Sequence, residues 1–358
     1  MEAVGVDTES DSFFHYFEKV CLLQISAPDG RVGLVDPLAV RDLSALGPLM
    51  ADPKVTKIFH AADNDVALLK RDYGFSFSGM FDTHVAARLC GRLELGLEKL
   101  LERELGVRLP KSLQRCDWSR RPLTPEQEHY AAEDVRHLFV LRDRLCDALR
   151  AAGREAWAVE ESEALGELGP AAHREGADFR KAKGAQTLST RQLAALRELF
   201  RARDEWARRA DLPLFKLVGD EALVELAVRC PKDVGAIGRV RGLSERLAIR
   251  RGPEIVEAVR RAEAVTEEEL RPPPRPQRVR MKPEACRRID KLKRWRSAAA
   301  PAAGLDPGVL LPQRVIEKIA IDPPASLEAL AALPGVRRWR ASAFGPEILA
   351  ALSSPRRA

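Results

Sequence analysis

Val4-Gly5-Val6-Asp7-Thr8-Glu9 decides the reading of this 358-residue chain. Val4 and Val6 are β-branched, and the run has the pattern of a short buried strand ending in carboxylates. Side chains alternate across a strand, so Asp7 and Glu9 project from one face. Two like charges held side by side repel each other unless a cation lies between them. The pair is therefore either a candidate metal site or an acidic strand end in solvent. What the rest of the chain brings to it decides between these.

The sequence on either side builds an α/β scaffold. Lys19–Ser26 and Arg31–Val35 are strand-like runs separated by the turn signal Pro28-Asp29-Gly30, and they read as a hairpin following the first strand. Asp36-Pro37 ends it. A helix is expected at about 41–50 and a buried strand at Val55–Phe59. In His60-Ala61-Ala62-Asp63-Asn64-Asp65-Val66 the chain turns into a helix, with Val66, Leu69 and Tyr73 at helical spacing and Gly74 as its stop. Asp63 is well placed as an N-cap. Asp65 falls in the first turn, where the helix dipole favours a carboxylate.

Residues 82–106 read as helical with a break marked by Gly91 and Gly96, and a polar loop follows from Lys111 to Leu123. Thr124-Pro125-Glu126-Gln127 then opens a helix, with Thr124 as N-cap, Pro125 at N1 and Gln127 completing a capping box. That helix is expected to reach about Arg150. Tyr130 and Asp134 are four residues apart on it, hence on one face.

Composition limits the function classes. Hydrophobic residues make up 45% and charged residues 31%, as in an ordinary folded domain and unlike a disordered chain. No apolar run has the length of a transmembrane helix, and no basic-then-apolar leader opens the sequence. The six cysteines are scattered without a CxxC pair, which suits a reducing, cytoplasmic setting. Residues 1–150 carry 20 Lys/Arg and 24 Asp/Glu, whereas residues 151–358 carry 39 and 29. An acidic front with a basic back suits a polyanionic partner bound near metal ions.

The back half divides further. A linker is expected at 156–187, and a helical segment at 188–268 contains Trp206. A Pro/Arg-rich linker follows at 269–283, and a divergent helical segment at 284–355 contains Trp295. Leu292 to Arg296 is weakly similar to Phe200 to Trp206, and the Pro312 break to the Pro213 break, which suggests two related helical domains. Residues 271–300 hold 11 Lys/Arg against two acidic residues and read as an RNA-binding tether or a solvated linker. The two tryptophans read as core residues or as platforms for bases.

Three acidic clusters thus stand on the scaffold: Asp7 with Glu9, Asp65 (with Asp63 as its competitor), and Asp134 with Tyr130. Phosphodiester hydrolysis needs charge neutralised on the phosphoryl oxygens and a water activated in line with the leaving oxygen. Two divalent cations roughly 3.5–4 Å apart do both. Hard cations take oxygen ligands, so carboxylates are the expected residue type. A tyrosine hydroxyl beside them can orient the attacking water.

The set Asp7-x-Glu9, Asp65 and Tyr130-x-x-x-Asp134 is similar to the three motifs of the DEDD 3′–5′ exonucleases, in the subgroup with Tyr in the third motif. More closely, the chain resembles the ribonuclease D family. Val6-Asp7-Thr8-Glu9, Val20-Cys21-Leu22-Leu23-Gln24-Ile25, His60-Ala61-x-x-x-Asp65, Asp117-Trp118-Ser119-x-Arg121-Pro122-Leu123 and Tyr130-Ala131-Ala132-Glu133-Asp134-Val135 carry the resemblance. The helical segments are similar to helicase-and-ribonuclease-D C-terminal (HRDC) domains.

The resemblance implies an RNase H-like α/β exonuclease domain at 1–155, a mixed sheet with flanking helices, followed by two small all-α domains. It implies 3′–5′ exoribonuclease activity on structured RNA, tRNA precursors above all, releasing nucleoside 5′-monophosphates with two Mg²⁺ or Mn²⁺ ions. It assigns Asp7, Glu9, Asp65 and Asp134 as metal ligands and Tyr130 as the water-positioning group, and it selects Asp65 over Asp63.

Two departures stand out. Only six residues precede Asp7, and Ser10 follows the first motif where the family commonly has Phe, so Phe13, Phe14 or Tyr16 is expected to supply the aromatic near the terminal nucleotide. Thr8, His60, Lys111, Arg120 and Arg121, together with Arg115, are candidate RNA contacts. For His60 the competing reading is a polar residue that orients its loop. For the cations it is a solvated loop. The rival functions are a DNA exonuclease of the same fold and a non-catalytic RNA-binding scaffold.

Overall fold

A computed structural model describes residues 2–109, 113–172, 176–271 and 281–353. The opening stretch forms β1 (Ala3–Ser10), the middle strand of a five-stranded sheet. β2 (Val20–Ser26) and β3 (Val32–Val35) are the expected hairpin, and β4 (Thr56–Phe59) is the expected buried strand. The fifth strand, β5 (Met80–Asp82), was not expected, and only its last residue falls in the helical run read from 82; at three residues it is too short to show a period. The order is β3-β2-β1-β4-β5. β1 runs antiparallel to β2 and parallel to β4, and β4 is parallel to β5, so the sheet is mixed.

Alternation along β1 assigns its two faces. Val4 and Val6 are buried in one core cluster with Val66, Leu68 and Leu69. Gly5, Asp7 and Glu9 face the other way. A Cβ on Gly5 would lie 2.3 Å from Ser26 Oγ and 3.3 Å from both Leu138 Cδ1 and the Val135 carbonyl oxygen, so only glycine fits beneath the covering helix.

Among the described residues, seven α-helices accompany this sheet between Gly47 and Gly166. α1 (Gly47–Ala51) is a single turn after a 3₁₀ turn at Ser44–Leu46, shorter than the helix expected at 41–50. α2 (Asp63–Tyr73) ends on Gly74 with φ 67°, the expected left-handed stop. α3 (Thr83–Leu89) and α4 (Leu97–Leu105) are separated where the glycines indicate. α5 (Pro125–Arg136) opens with the expected Thr124–Gln127 capping box. It does not continue to Arg150: the chain turns at His137 into α6 (Leu138–Ala151), and Ser26 Oγ donates to the Val135 carbonyl at that turn (2.9 Å). α7 (Glu155–Gly166) is helical where a linker was expected. Glu163 Oε1 accepts from the Met80 N–H (3.0 Å) and Ser162 Oγ from the Asp82 N–H (3.1 Å), so α7 seals the β5 edge.

The described residues form two compact units. One takes in Met1–Ser10, Val20–Ala171 and Arg278–Ala358; the other takes in Asp11–Lys19 and Ala172–Gln277. In the second unit α8 (Thr190–Ala210), α9 (Leu214–Leu217), α10 (Asp220–Arg229), α11 (Glu245–Arg261) and α12 (Glu267–Leu270) enclose a core of Leu196, Leu199, Leu223, Leu226 and Ile255. Trp206 is 1% exposed in that core, and its indole N–H donates to Glu254. It packs and does not offer a face to bases. Within the same unit Tyr16 Oη donates to Asp204 (2.8 Å), Asp211 accepts the Tyr16 and Phe17 N–H groups (3.0 and 3.1 Å), and Lys216 Nζ lies 3.9 Å over the Phe14 ring. Phe13 stays 46% exposed.

The last helices, α13 (Pro283–Ala302), α14 (Pro307–Leu310), α15 (Gln313–Ile321), α16 (Leu327–Ala332) and α17 (Arg338–Ser353), share the core of the first unit. Trp339 stacks on Trp157 of α7 at 4.3 Å between ring centroids, and Arg340 donates to Glu161 (2.8 Å). Trp295 is half-buried against the same core, its indole N–H donating to Glu347 (3.0 Å). No helix among the described residues is long and apolar enough to cross a membrane.

Candidate active site

The site lies at the carboxyl end of β1, where three elements meet. β1 supplies Asp7 and Glu9, the first turn of α2 supplies Asp65, and α5 supplies Tyr130 and Asp134. A ligand oxygen from each of Asp7, Glu9 and Asp134 can be chosen so that all lie within 4.8 Å of one another. Asp65 stands near this trio, its carboxylate accepting the Thr8 hydroxyl and its charge acting on Asp7 and Glu9. Asp63 is the first residue of α2, and the residue before the helix is Ala62, so the sequence placed the N-cap one position late.

Burial and mutual repulsion load this cluster with protons. Glu9, Asp65 and Asp134 are only 9%, 8% and 8% exposed. Asp7 is raised well above the usual carboxyl range, first by burial and then by the charges of Asp65, Asp134 and Glu9. Burial, with repulsion from Asp134 and Asp65, pushes Glu9 to about 9. Burial moves Asp65 to about 6 against the lowering hydrogen bond from Thr8, and Asp134 to about 7 against one from Tyr130. Four crowded carboxyls, all raised above the usual carboxyl range and each an oxygen donor, form an arrangement that a hard divalent cation relieves by neutralising their charge and displacing the protons they hold.

Tyr130 is 5% exposed, its ring 6.1 Å from the Trp118 ring, and its hydroxyl reaches Asp134. That packing fixes the phenol beside the carboxylates.

The turn that delivers Asp65 is held by a residue the sequence reading passed over. Asp82, fully buried at the end of β5, accepts the Ala62 N–H (2.8 Å) and the Val85 N–H (2.9 Å), thereby capping both α2 and α3. Ala61 adopts φ 60°, a left-handed conformation uncommon for a residue with a Cβ.

The candidate RNA contacts divide. Thr8 is committed to Asp65. His60 Nδ1 pairs with Thr83 Oγ1 (2.9 Å), and burial with the neighbouring His84 brings the imidazole down to about 4, so it is a neutral residue orienting its loop. Arg121 does not present a free fork. Its guanidinium donates to both Asp36 oxygens (2.6 and 2.7 Å) and to the carbonyls of Trp118, Arg120 and Cys21 (2.7, 2.8 and 2.7 Å). The phosphate reading of Arg121 therefore gives way to a clamp on the 117–123 loop. Arg120 points to solvent, with one contact to Asp117 (3.1 Å). Lys111 lies outside the described residues.

A family model described as 3′–5′ exonuclease matches residues 1–150, and one described as HRDC domain matches 192–259 and 287–352. A ribonuclease D from Gluconacetobacter diazotrophicus is 32% identical over 352 residues, covering 97% of this chain and 86% of that protein. The chain belongs to the ribonuclease D family. A ribonuclease D from Granulibacter bethesdensis is 31% identical over the same shares of both chains. The crystal structure of Escherichia coli RNase D, described as an exoribonuclease involved in structured RNA processing, aligns with TM-score 0.68 at 26% identity, covering 98% of this chain and 93% of that one. The catalytic core of RRP6 from Trypanosoma brucei aligns with TM-score 0.66 at 27% identity over 74% of each chain. As a ribonuclease D, the protein is a hydrolase, a metal-dependent 3′–5′ exoribonuclease with an RNase H-like catalytic domain and HRDC domains.

Proposed function

We propose that Asp7, Glu9, Asp65 and Asp134 hold two divalent cations, Mg²⁺ or Mn²⁺, and that Tyr130 positions the attacking water. The observation that carries this reading is the convergence of the Asp7, Glu9 and Asp134 oxygens at one buried point. Such ions supply charge neutralisation at phosphorus and a more acidic water. The chain's own residues do the rest. The carboxylates would hold the ions, and the Tyr130 hydroxyl, anchored on Asp134, orients the water by a hydrogen bond. The water gives up a proton to solvent as its oxygen bonds to phosphorus at the 3′-terminal linkage. The bond to the preceding nucleotide's 3′ oxygen breaks, that oxygen takes up a proton, and a nucleoside 5′-monophosphate leaves.

The substrate class we infer is the single-stranded 3′ end of structured RNA, tRNA precursors above all. The printed description of the E. coli relative and the net positive charge of residues 151–358 support it. Every cysteine in the chain is a free thiol, which supports a reducing cytoplasmic setting.

Calorimetric titration with Mn²⁺ tests the ion count. Two sites per chain, both weakened in Asp134→Asn, are expected; a single site insensitive to that change contradicts the two-ion reading. Digesting matched RNA and DNA oligomers, with and without a folded stem, tests the substrate class.

A further inference from the structure

Gln24 lies directly across from Asp7 in the antiparallel pairing of β1 with β2. Facing residues of such a pair project from the same side of the sheet, with Cβ atoms roughly 5 Å apart. The residues two before and two after it confirm the side. Ser26 donates to the Val135 carbonyl of α5, and Leu22 packs with Tyr130 and Ala131 of the same helix. Gln24 therefore sits under α5, between the helix that carries Asp134 and the strand that carries Asp7.

Its side chain is wholly buried, yet neither Nε2 nor Oε1 has a hydrogen-bond partner among the described residues. A buried amide with both ends unpaired is costly for the fold, and an apolar residue of the same shape would serve the packing better. The indole N–H of Trp118, whose ring lies beside Tyr130, is likewise unpaired, whereas Asp82 is held by two backbone amides, Thr8 by Asp65 and Ser26 by the Val135 carbonyl.

We propose that Gln24 is a positioning residue for the metal centre: its Nε2–H, unpaired in this structure and facing Asp7 across the strand pair, takes the Asp7 carboxylate as its acceptor when an ion binds and so fixes the orientation in which Asp7 ligates it. A carboxylate that ligates through one oxygen leaves the other to accept a hydrogen bond, and groups that take up that oxygen set the affinity of the ion. The proposal rests on the reading of Asp7 as a metal ligand.

The test uses the full chain and Mn²⁺ alone, read by calorimetry and by electron paramagnetic resonance of free Mn²⁺. Gln24→Met keeps the length and volume and removes the donor; Gln24→Leu removes it with a stiffer side chain and serves if the first variant folds poorly. The expected result is Mn²⁺ affinity reduced about tenfold or more, an unfolding temperature in EDTA equal to or above wild type, and reduced kcat with KM for RNA unchanged. Wild-type Mn²⁺ affinity in a folded variant overturns the proposal and assigns Gln24 to packing, while loss of binding in a parallel Asp7→Asn sample shows that the metal reading still stands. Absence of Mn²⁺ binding to the wild type overturns both.

Discussion

The Thr8 hydroxyl donates to the Asp65 carboxylate, which ties the central strand to the first turn of α2. Thr8 lies between Asp7 and Glu9 and points to the opposite face, so β1 addresses the cluster from both sides. Removing this donor by Thr8→Val should raise the Asp65 pKa further above about 6, because the hydrogen bond is the largest influence opposing burial there. The pH–rate profile should move to higher pH, and kcat should fall about tenfold. A rise in KM for RNA with an unmoved profile would instead restore Thr8 as an RNA contact.

Protonation of the cluster also sets how the metal-free protein responds to pH. Carboxyls near 4 in the unfolded chain stand at about 9, 6 and 7 for Glu9, Asp65 and Asp134 in the folded one. Between those limits the folded state binds protons that the unfolded state has released. The stability this contributes is full below about pH 4 and is lost as pH rises through 6, 7 and 9. Urea midpoints in EDTA should therefore decline from pH 5 to pH 9, and Mg²⁺ should flatten the decline. Because ions displace these protons, Mn²⁺ affinity should rise over the same interval. A midpoint independent of pH in EDTA contradicts this account of the cluster.

Arg121 makes a third prediction, through stability and not through RNA. Lysine offers a point charge in place of a planar five-donor fork, so Arg121→Lys cannot serve Asp36 and three carbonyls together. Urea denaturation should show a loss of about 2–3 kcal/mol, with KM for RNA unchanged. A stable variant with raised KM would return Arg121 to the phosphate backbone.

Much of this was legible in the sequence. The alternation in Val4–Glu9 put both carboxylates on one face, and the Thr124–Gln127 box set the phase of α5, so Tyr130 and Asp134 fell where the structure has them. What was not legible depended on contacts distant in the chain. Arg121 looked free because Asp36 lies 85 residues away. α7 lacked a clear period because it packs on more than one side, against β5 on one hand and Trp339 on the other. Local capping logic pointed to Asp63, but the cap arrives from Asp82 across the sheet.

Asp82 therefore supplies a fourth prediction. Asp82→Ala removes the acceptor for two helix starts and leaves buried amides unpaired, which should cost about 2–3 kcal/mol. It should also loosen the turn carrying Asp65, read as weaker Mn²⁺ binding. Unchanged unfolding would show that Ala61 and Ala62 hold the turn without it.

The most direct test of the central claim is product analysis from 5′-labelled and 3′-labelled structured RNA in Mg²⁺, comparing wild type with Asp7→Asn and Asp134→Asn. The carboxylate cluster predicts stepwise release of nucleoside 5′-monophosphates from the 3′ end by wild type. Both variants should lose activity by at least 10²-fold while RNA binding and unfolding midpoint are kept. Equal activity in all three proteins, or an inert wild type that still binds RNA, would contradict it.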